Sequence, residues 1–315
     1  MIKRTLHIGS PCHLKCANSQ LVVSYSHVKG QETKPDQTVP IEDIGMLVLE
    51  HQQITLTHYL LDALTTNNVA VVTCNATHHP SGLLLPLEGN TLQSERFRAQ
   101  IEATEPLKKQ LWQQTVKAKI ANQASLLQQW QCPHKTLEQL AQKVLSGDSG
   151  NAEAIAAAHY WQHLFPPAWQ FFRHREGPPP NNLLNYGYAI LRTATARAIV
   201  GAGLLPTLGI FHRNRYNAYC LADDIMEPYR PFVDAVVRHI VHYTSHVHTL
   251  SQPLKVRLLQ VPAIDVQLGN QTSPLMVALQ RTAASVAQCY SGDTRKILYP
   301  TLPNHLAQMP PLVLV

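Results

Sequence analysis

His212, Asp223, Asp224 and Glu227 fall within one short stretch, Gly209-Ile-Phe-His-Arg-Asn-Arg-Tyr-Asn-Ala-Tyr-Cys-Leu-Ala-Asp-Asp-Ile-Met-Glu-Pro-Tyr-Arg-Pro. There a polar connection runs into an apolar-periodic segment. Oxygen ligands with one imidazole suit a divalent ion that activates a phosphodiester, Mn²⁺ or Mg²⁺ rather than a structural zinc. Arg213, Arg215 and Arg230 interleave with the acids and are spaced to meet phosphates. The competing reading is a polar helix start with Asp223 as its cap and Glu227 on the solvent face. Spacing alone leaves both readings open, because the cluster matches no strict ligand motif.

Geometry sorts the acids further. On a helix Glu227 lies three residues beyond Asp224 and four beyond Asp223, so both aspartates can approach one ion with it. Like charges this close need a cation or a basic partner to remain ionised. Pro228 and Pro231 fit only if the helix starts near here or bends. A second candidate is Glu153, in Asp148-Ser-Gly-Asn-Ala-Glu, immediately before an Ala-rich helix. A carboxylate in a first turn gains from exposed backbone amides, which is a sufficient structural explanation by itself. The small side chains beyond it permit close packing that would bring Glu153 toward another helix end.

The elements that must position these groups divide into two textures. Up to about residue 90 the pattern is strand-like. Gln20–Ser26 is short and β-branched, 27–38 reads as a hairpin loop, and Met46–Leu49 and Val69–Val72 are buried-type strands. Leu83–Leu85 is a further strand candidate, and Thr57 caps one helix. From Leu92 to Leu126 there is no glycine and one proline, and Leu111, Trp112, Thr115, Val116 and Ile120 recur at helical spacing. Further helices fit Thr136–Leu145, Ala152–Leu164, Asn182–Ala202, Ile225–Val247, Leu275–Gln288 and Thr294–Leu298. The expected class is α+β: a small β-rich N-terminal domain over 1–90 with one helix, then a nearly all-helical domain over 91–315. From Tyr299 the chain has four prolines, no formal charge and an aliphatic end, Leu312–Val315. It cannot be a long helix, and docking or an unstructured tail are both open.

Composition narrows the setting. The 315 residues are 45% hydrophobic and 15% charged, with 26 basic against 20 acidic side chains. The formal +6 is a weak argument for a nucleic-acid partner. Seventeen histidines would make the chain more positive in mild acid. The six cysteines show no paired zinc spacing and read as reduced thiols. No apolar run reaches the ~18 residues of a membrane span and the start lacks a signal peptide, so a soluble cytoplasmic protein without a membrane partner is expected.

The ordered segments Ile41-Glu-Asp-Ile-Gly with Leu47-Val-Leu, Pro80-Ser-Gly-Leu-Leu-Leu-Pro, Leu107-Lys-Lys-Gln-Leu-Trp-Gln, Asn185-Tyr-Gly-Tyr-Ala-Ile-Leu-Arg, Gly209-Ile-Phe-His and Asp224-Ile-Met-Glu-Pro-Tyr-Arg-Pro carry a resemblance. Together they resemble the CRISPR-associated adaptation integrase/endonuclease family, specifically its type II branch, over nearly the whole chain. The resemblance implies Glu153, His212 and Glu227 as catalytic metal ligands for Mg²⁺ or Mn²⁺. It implies Asp224 as an acid shaping the pocket. Arg230, three residues beyond Glu227, is placed to orient that carboxylate or touch phosphate. The family's reaction is insertion of protospacer DNA into a CRISPR array, by 3′-hydroxyl attack on phosphodiesters at repeat boundaries. A homodimer through the N-terminal domain is implied, with a small companion CRISPR adaptation protein in a 4:2 complex. The type II effector nuclease and an accessory adaptation subunit are further candidate partners. Double-stranded DNA, protospacer and repeat, would be held through phosphates. The candidates are Arg96, Arg98, Lys108, Lys109, Lys117, Lys119, Arg173 and Arg175, with Lys108 and Lys119 placed to share one helix face. Asn181, Asn182 and Asn185 are nearby polar contacts. The alternatives are a catalytically idle DNA-binding scaffold and a helical metal hydrolase for a small phosphorylated substrate.

Overall fold

A computed structural model describes residues 3–25, 35–244 and 246–303. It separates into two compact units, Met1–Gly89 and Asn90–Val315. The first contains β1 (Arg4–Ile8), β2 (Cys12–Ala17), β3 (Gln20–Tyr25), β4 (Gln37–Pro40), β5 (Ile44–Leu49), β6 (Thr55–Leu56), α1 (His58–Thr66), β7 (Ala70–Cys74) and β8 (Pro80–Leu84). Two four-stranded sheets form, in the orders β1-β5-β7-β8 and β4-β3-β2-β6. β5 pairs parallel with β1 and β7 and is buried along its whole length, as a strand covered on both faces must be. Thr57 caps α1 by accepting from the Leu60 amide. Leu60 and Leu64 of that helix join Leu14, Leu21, Ile44 and Leu47 in the core. Most of the expected loop 27–38 lies outside the described residues.

The second unit contains α2 (Gln93–Ile101), α3 (Glu105–Gln129), α4 (Lys135–Lys143), α5 (Ala152–Leu164), α6 (Asn181–Gly201), α7 (Cys220–Met226), α8 (Arg230–Tyr243), α9 (Gln252–Leu259), the hairpin β9 (Asp265–Leu268) and β10 (Gln271–Pro274), and α10 (Leu275–Ser291). Thr104 caps α3, and Pro106 lies in its first turn, where a missing N–H costs nothing. α6 passes close to α8: a Cβ on Gly187 would fall 2.4 Å from Val233 Cγ1. That approach is open only to glycine.

Three expectations change here. The helix over Ile225–Val247 is instead α7, a 3-10 turn over Glu227–Tyr229, and α8. Pro228 and Pro231 each lack the N–H a continuous helix needs, so the helix restarts and both prolines sit in first turns. Residues 294–298 form no helix. The amides of Ile297 and Leu298 donate to Gln114 Oε1 and Ser285 Oγ, so side chains satisfy this backbone. The β9–β10 hairpin and α9 were not expected. Beyond α10, Tyr299 Oη hydrogen-bonds Thr115 Oγ1 at 2.8 Å. Asn122 donates to the Pro300 carbonyl and accepts from the Leu302 amide. The aliphatic end Leu312–Val315 lies outside the described residues.

Candidate metal centre and nucleic-acid site

The site is assembled from four places in the helical unit. Asp148 caps α5: its Oδ1 accepts from the Ala152 amide at 2.8 Å and its Oδ2 from the Glu153 amide at 3.1 Å. These contacts occupy the amides credited above to Glu153, whose side chain turns elsewhere. Glu153 Oε1 instead meets Lys119 Nζ, from the middle of α3, at 2.6 Å. The same ammonium lies 2.5 Å from Glu227 Oε2. Two carboxylates distant in sequence therefore meet on one cation.

Glu227 is buried in the turn between α7 and α8, and its Oε1 accepts from Arg230 Nε at 2.7 Å. Its Oε2 is buried and touches the ammonium at ion-pair distance without the angles of a hydrogen bond. Burial pushes the Glu227 carboxyl upward, but Arg230 and Lys119 outweigh it and hold the group at about 2. Burial also disfavours the Lys119 ammonium, yet Glu227 and Glu153 together hold its pKa above the ordinary value. Arg230 stacks over the Tyr188 ring, with Cζ 4.5 Å from the centroid.

His212 is set by Asp224. That aspartate is fully buried; its Oδ2 accepts from the Phe211 amide at 2.8 Å and its Oδ1 from the His212 amide at 3.3 Å. Oδ1 also contacts His212 Nδ1, fixing the ring and leaving Nε2 for another partner. The hydrogen bond to Asp224 raises the imidazole pKa against the opposing effect of burial, and Glu227 and Glu153 add to the rise. Both glutamates are thus within electrostatic reach of the ring. Gly209 makes the loop feasible: a Cβ there would fall 2.4 Å from the His212 carbonyl oxygen and 2.8 Å from Asp224 Oδ2.

The donor set suits a divalent cation in kind: two carboxylate oxygens, one buried and lacking a hydrogen bond, and an imidazole oriented by a third acid. Among the described residues, no three His, Cys, Asp or Glu side chains are arranged closely enough to hold a metal ion. The Lys119 ammonium stands between the two glutamates, in contact with both.

Several other assignments are corrected. Lys119 is not a phosphate-facing partner of Lys108; its side chain is 12% exposed and spent on the two acids. Asp223 does not join Glu227, because Arg192 grips it with two contacts, of 2.6 and 2.8 Å. Arg96 donates to the Ala202 carbonyl. Arg173 is held by Asn181, Asn185 and the His174 carbonyl. The Arg173 contacts use Asn181 and Asn185, two of the asparagines read as DNA contacts, and Asn182 donates to the Val247 carbonyl. Arg98, Lys109, Lys117 and Arg175 are exposed, while Lys108 is half-buried near Glu105.

Sequence reasoning missed Asp234. It is buried in α8 between the hydroxyls of Tyr160 and Tyr188, beside a cavity of about 140 Å³ that Lys119, Arg173, Glu227 and Arg230 also line. A lone acid inside the apolar run Phe232-Val-Asp-Ala-Val-Val was the available signal.

A β-rich unit is thus followed by a helical one that gathers paired glutamates, an aspartate-held histidine and buried cations. The sequence pattern described as CRISPR associated protein Cas1 matches residues 6–246. The CRISPR-associated endonuclease Cas1 of Neisseria meningitidis serogroup C (strain 8013) is 35% identical over 287 residues, covering 90% of this chain and 91% of that protein. A casposase bound to integration product is similar in fold, with TM-score 0.74 at 18% identity, covering 94% of this chain and 92% of that one. A Cas6-RT-Cas1–Cas2 complex matches with TM-score 0.69 at 21% identity, over 96% of this chain and 37% of that one. The chain belongs to the Cas1 family of CRISPR-associated endonucleases. Its activity is that of a DNA endonuclease and integrase in spacer acquisition.

Proposed function

We propose that Glu153, His212 and Glu227 form the reaction centre, holding Mg²⁺ or Mn²⁺ while a protospacer 3′-hydroxyl attacks a phosphodiester at a repeat boundary. The observation that carries this reading is the meeting of Glu153 and Glu227 on one cation, with the aspartate-held imidazole within electrostatic reach of both. When bound, the ion would polarise the scissile phosphate and stabilise the attacking and departing oxygens. Asp224 occupies His212 Nδ1 and so leaves Nε2 as the ring nitrogen for the ion. Arg230 fixes the Glu227 carboxylate through Nε. Exposed Arg98, Lys109, Lys117 and Arg175 supply phosphate contacts that carry affinity without reading sequence.

The wider assembly follows the same reading. A homodimer through the β-rich unit associates with a small companion adaptation protein in a 4:2 arrangement, supported by the structural relative in complex with Cas2. The 35% identity to the Neisseria protein favours the type II branch, with the effector nuclease and an accessory subunit as further partners. The work is done in the cytoplasm. No described helix is long and apolar enough to cross a membrane.

Glu227→Gln is the decisive change, because it removes the charged ligand while keeping the buried volume and an oxygen acceptor for Arg230, both of which Glu227→Ala would lose. In a gel assay with a 3′-hydroxyl protospacer, a repeat-bearing plasmid, the companion protein and Mn²⁺, strand transfer should fall at least ~100-fold. DNA binding in EDTA should stay within about twofold of wild type. Strand transfer at the wild-type rate would remove Glu227 from the reaction centre.

A further inference from the structure

The loop between α6 and α7 delivers more than His212. Leu208, Phe211 and Tyr216 are exposed on it at 40%, 49% and 82%, interleaved with Arg213 and Arg215. Large apolar side chains crowded onto one polar loop mark a contact surface. Phe211 is the most ordered of them. Its ring lies flat on Trp112 of α3, with centroids 4.4 Å apart and planes 3° from parallel. Trp112 is 1% exposed, so Phe211 covers it and turns its outer face to solvent. The ring meets His212 edge-on with centroids 5.6 Å apart, and the Phe211 amide is committed to Asp224. Backbone and ring are both fixed before any ligand arrives.

We infer that Phe211 is a stacking platform for the terminal base of the DNA strand whose 3′ end enters the site. The inference rests on the DNA reading above. A flat ring with one free face, beside the imidazole held by Asp224, accepts a π-surface of similar width. Every nucleobase offers one. Within a duplex both faces of a base are covered by its neighbours, so a base at a strand end is the one able to donate a face. Arg215 reinforces the chemistry. Its guanidinium lies 4.7 Å over the Tyr216 ring, and its charge sits on the same loop for the adjoining phosphates. Stacking on Phe211 would hold the last sugar against His212 without reading which base it carries.

The test uses the full chain in EDTA with a protospacer duplex whose single-stranded 3′ ends finish in 2-aminopurine. Binding should quench the terminal fluorophore and leave one placed inside the duplex unchanged. Phe211→Leu should abolish the quench and weaken binding about tenfold, with an unchanged salt slope, since stacking releases no counterions. Phe211→Tyr keeps the ring and should behave as wild type, which separates lost stacking from a disturbed loop. A leucine variant that quenches and binds like wild type would overturn the platform while leaving the DNA reading intact. So would a tyrosine variant as impaired as the leucine one. A wild-type chain that binds no DNA would overturn both.

Discussion

Lys119 fixes the charge balance of the site, because among the described residues it is the one cation touching both glutamates. Lys119→Met is expected to destabilise the protein by about 3 kcal/mol in EDTA, since it leaves two carboxylates facing each other at low exposure. Arg230 would still compensate Glu227. If the glutamates serve a divalent ion, Mn²⁺ should raise the melting temperature of this variant more than that of wild type. Equal shifts in the two proteins would separate the acids from metal binding. Gly209 makes a complementary prediction. The clash of an added Cβ is with the His212 backbone and the Asp224 carboxylate rather than with a flexible chain end. Gly209→Ala should therefore cut strand transfer by about 100-fold through a misplaced imidazole, with DNA affinity in EDTA retained. An alanine variant integrating normally would show that the loop can shift at no cost to His212.

The elements explain why some of this was legible in sequence and some was not. Helix α5 was readable from its start, yet its capping group was not: Asp148 reaches the Ala152 and Glu153 amides across a left-handed Asn151, with φ of 53°. Asp148→Ala should cost about 1 kcal/mol in a denaturant titration and loosen the first turn that carries Glu153. An unchanged midpoint would show that other groups satisfy those amides. α3 was recognisable as a long helix from its apolar spacing. The inward aim of Lys119 was hidden, because a lysine on a basic helix looks the same whether its partner is a phosphate or two distant carboxylates. The hairpin over Asp265–Pro274 did carry a signal. Gly269-Asn270 is a two-residue turn pair between alternating residues, and Gly269 has φ of 62°. The apparent helix at 294–298 had helical residues but tertiary partners for its amides, Gln114 and Ser285, which no local pattern reveals.

For the whole molecule, buried ionisable groups tie stability to pH. Burial raises the Asp234 carboxyl to about 6, against the lowering effect of the Tyr188 and Tyr160 hydroxyls. Its folded value lies above the unfolded one of ~3.9, so the folded state binds this proton more tightly. That contribution is complete below pH ~4 and is lost as pH rises through about 6. Asp234→Asn should thus gain stability relative to wild type between pH 4.5 and 7.5, by an amount on the order of 2 kcal/mol. Urea titrations at the two pH values check it, and a difference independent of pH would mean that Asp234 is ionised throughout. The same helical unit contains one junction whose meaning lies in time rather than in charge. Asn122, 2% exposed, donates to the carbonyls of Pro228 and Pro300 and accepts from the Leu302 amide. One side chain thus ties the turn bearing Glu227 to a segment near the far end of the chain. The two should open as a single cooperative unit. In native-state hydrogen exchange the amides of Leu302, Met226, Glu227, Tyr229 and Arg230 should be released at the same denaturant concentration. Asn122→Ala should quicken both together while leaving α4 at its own pace.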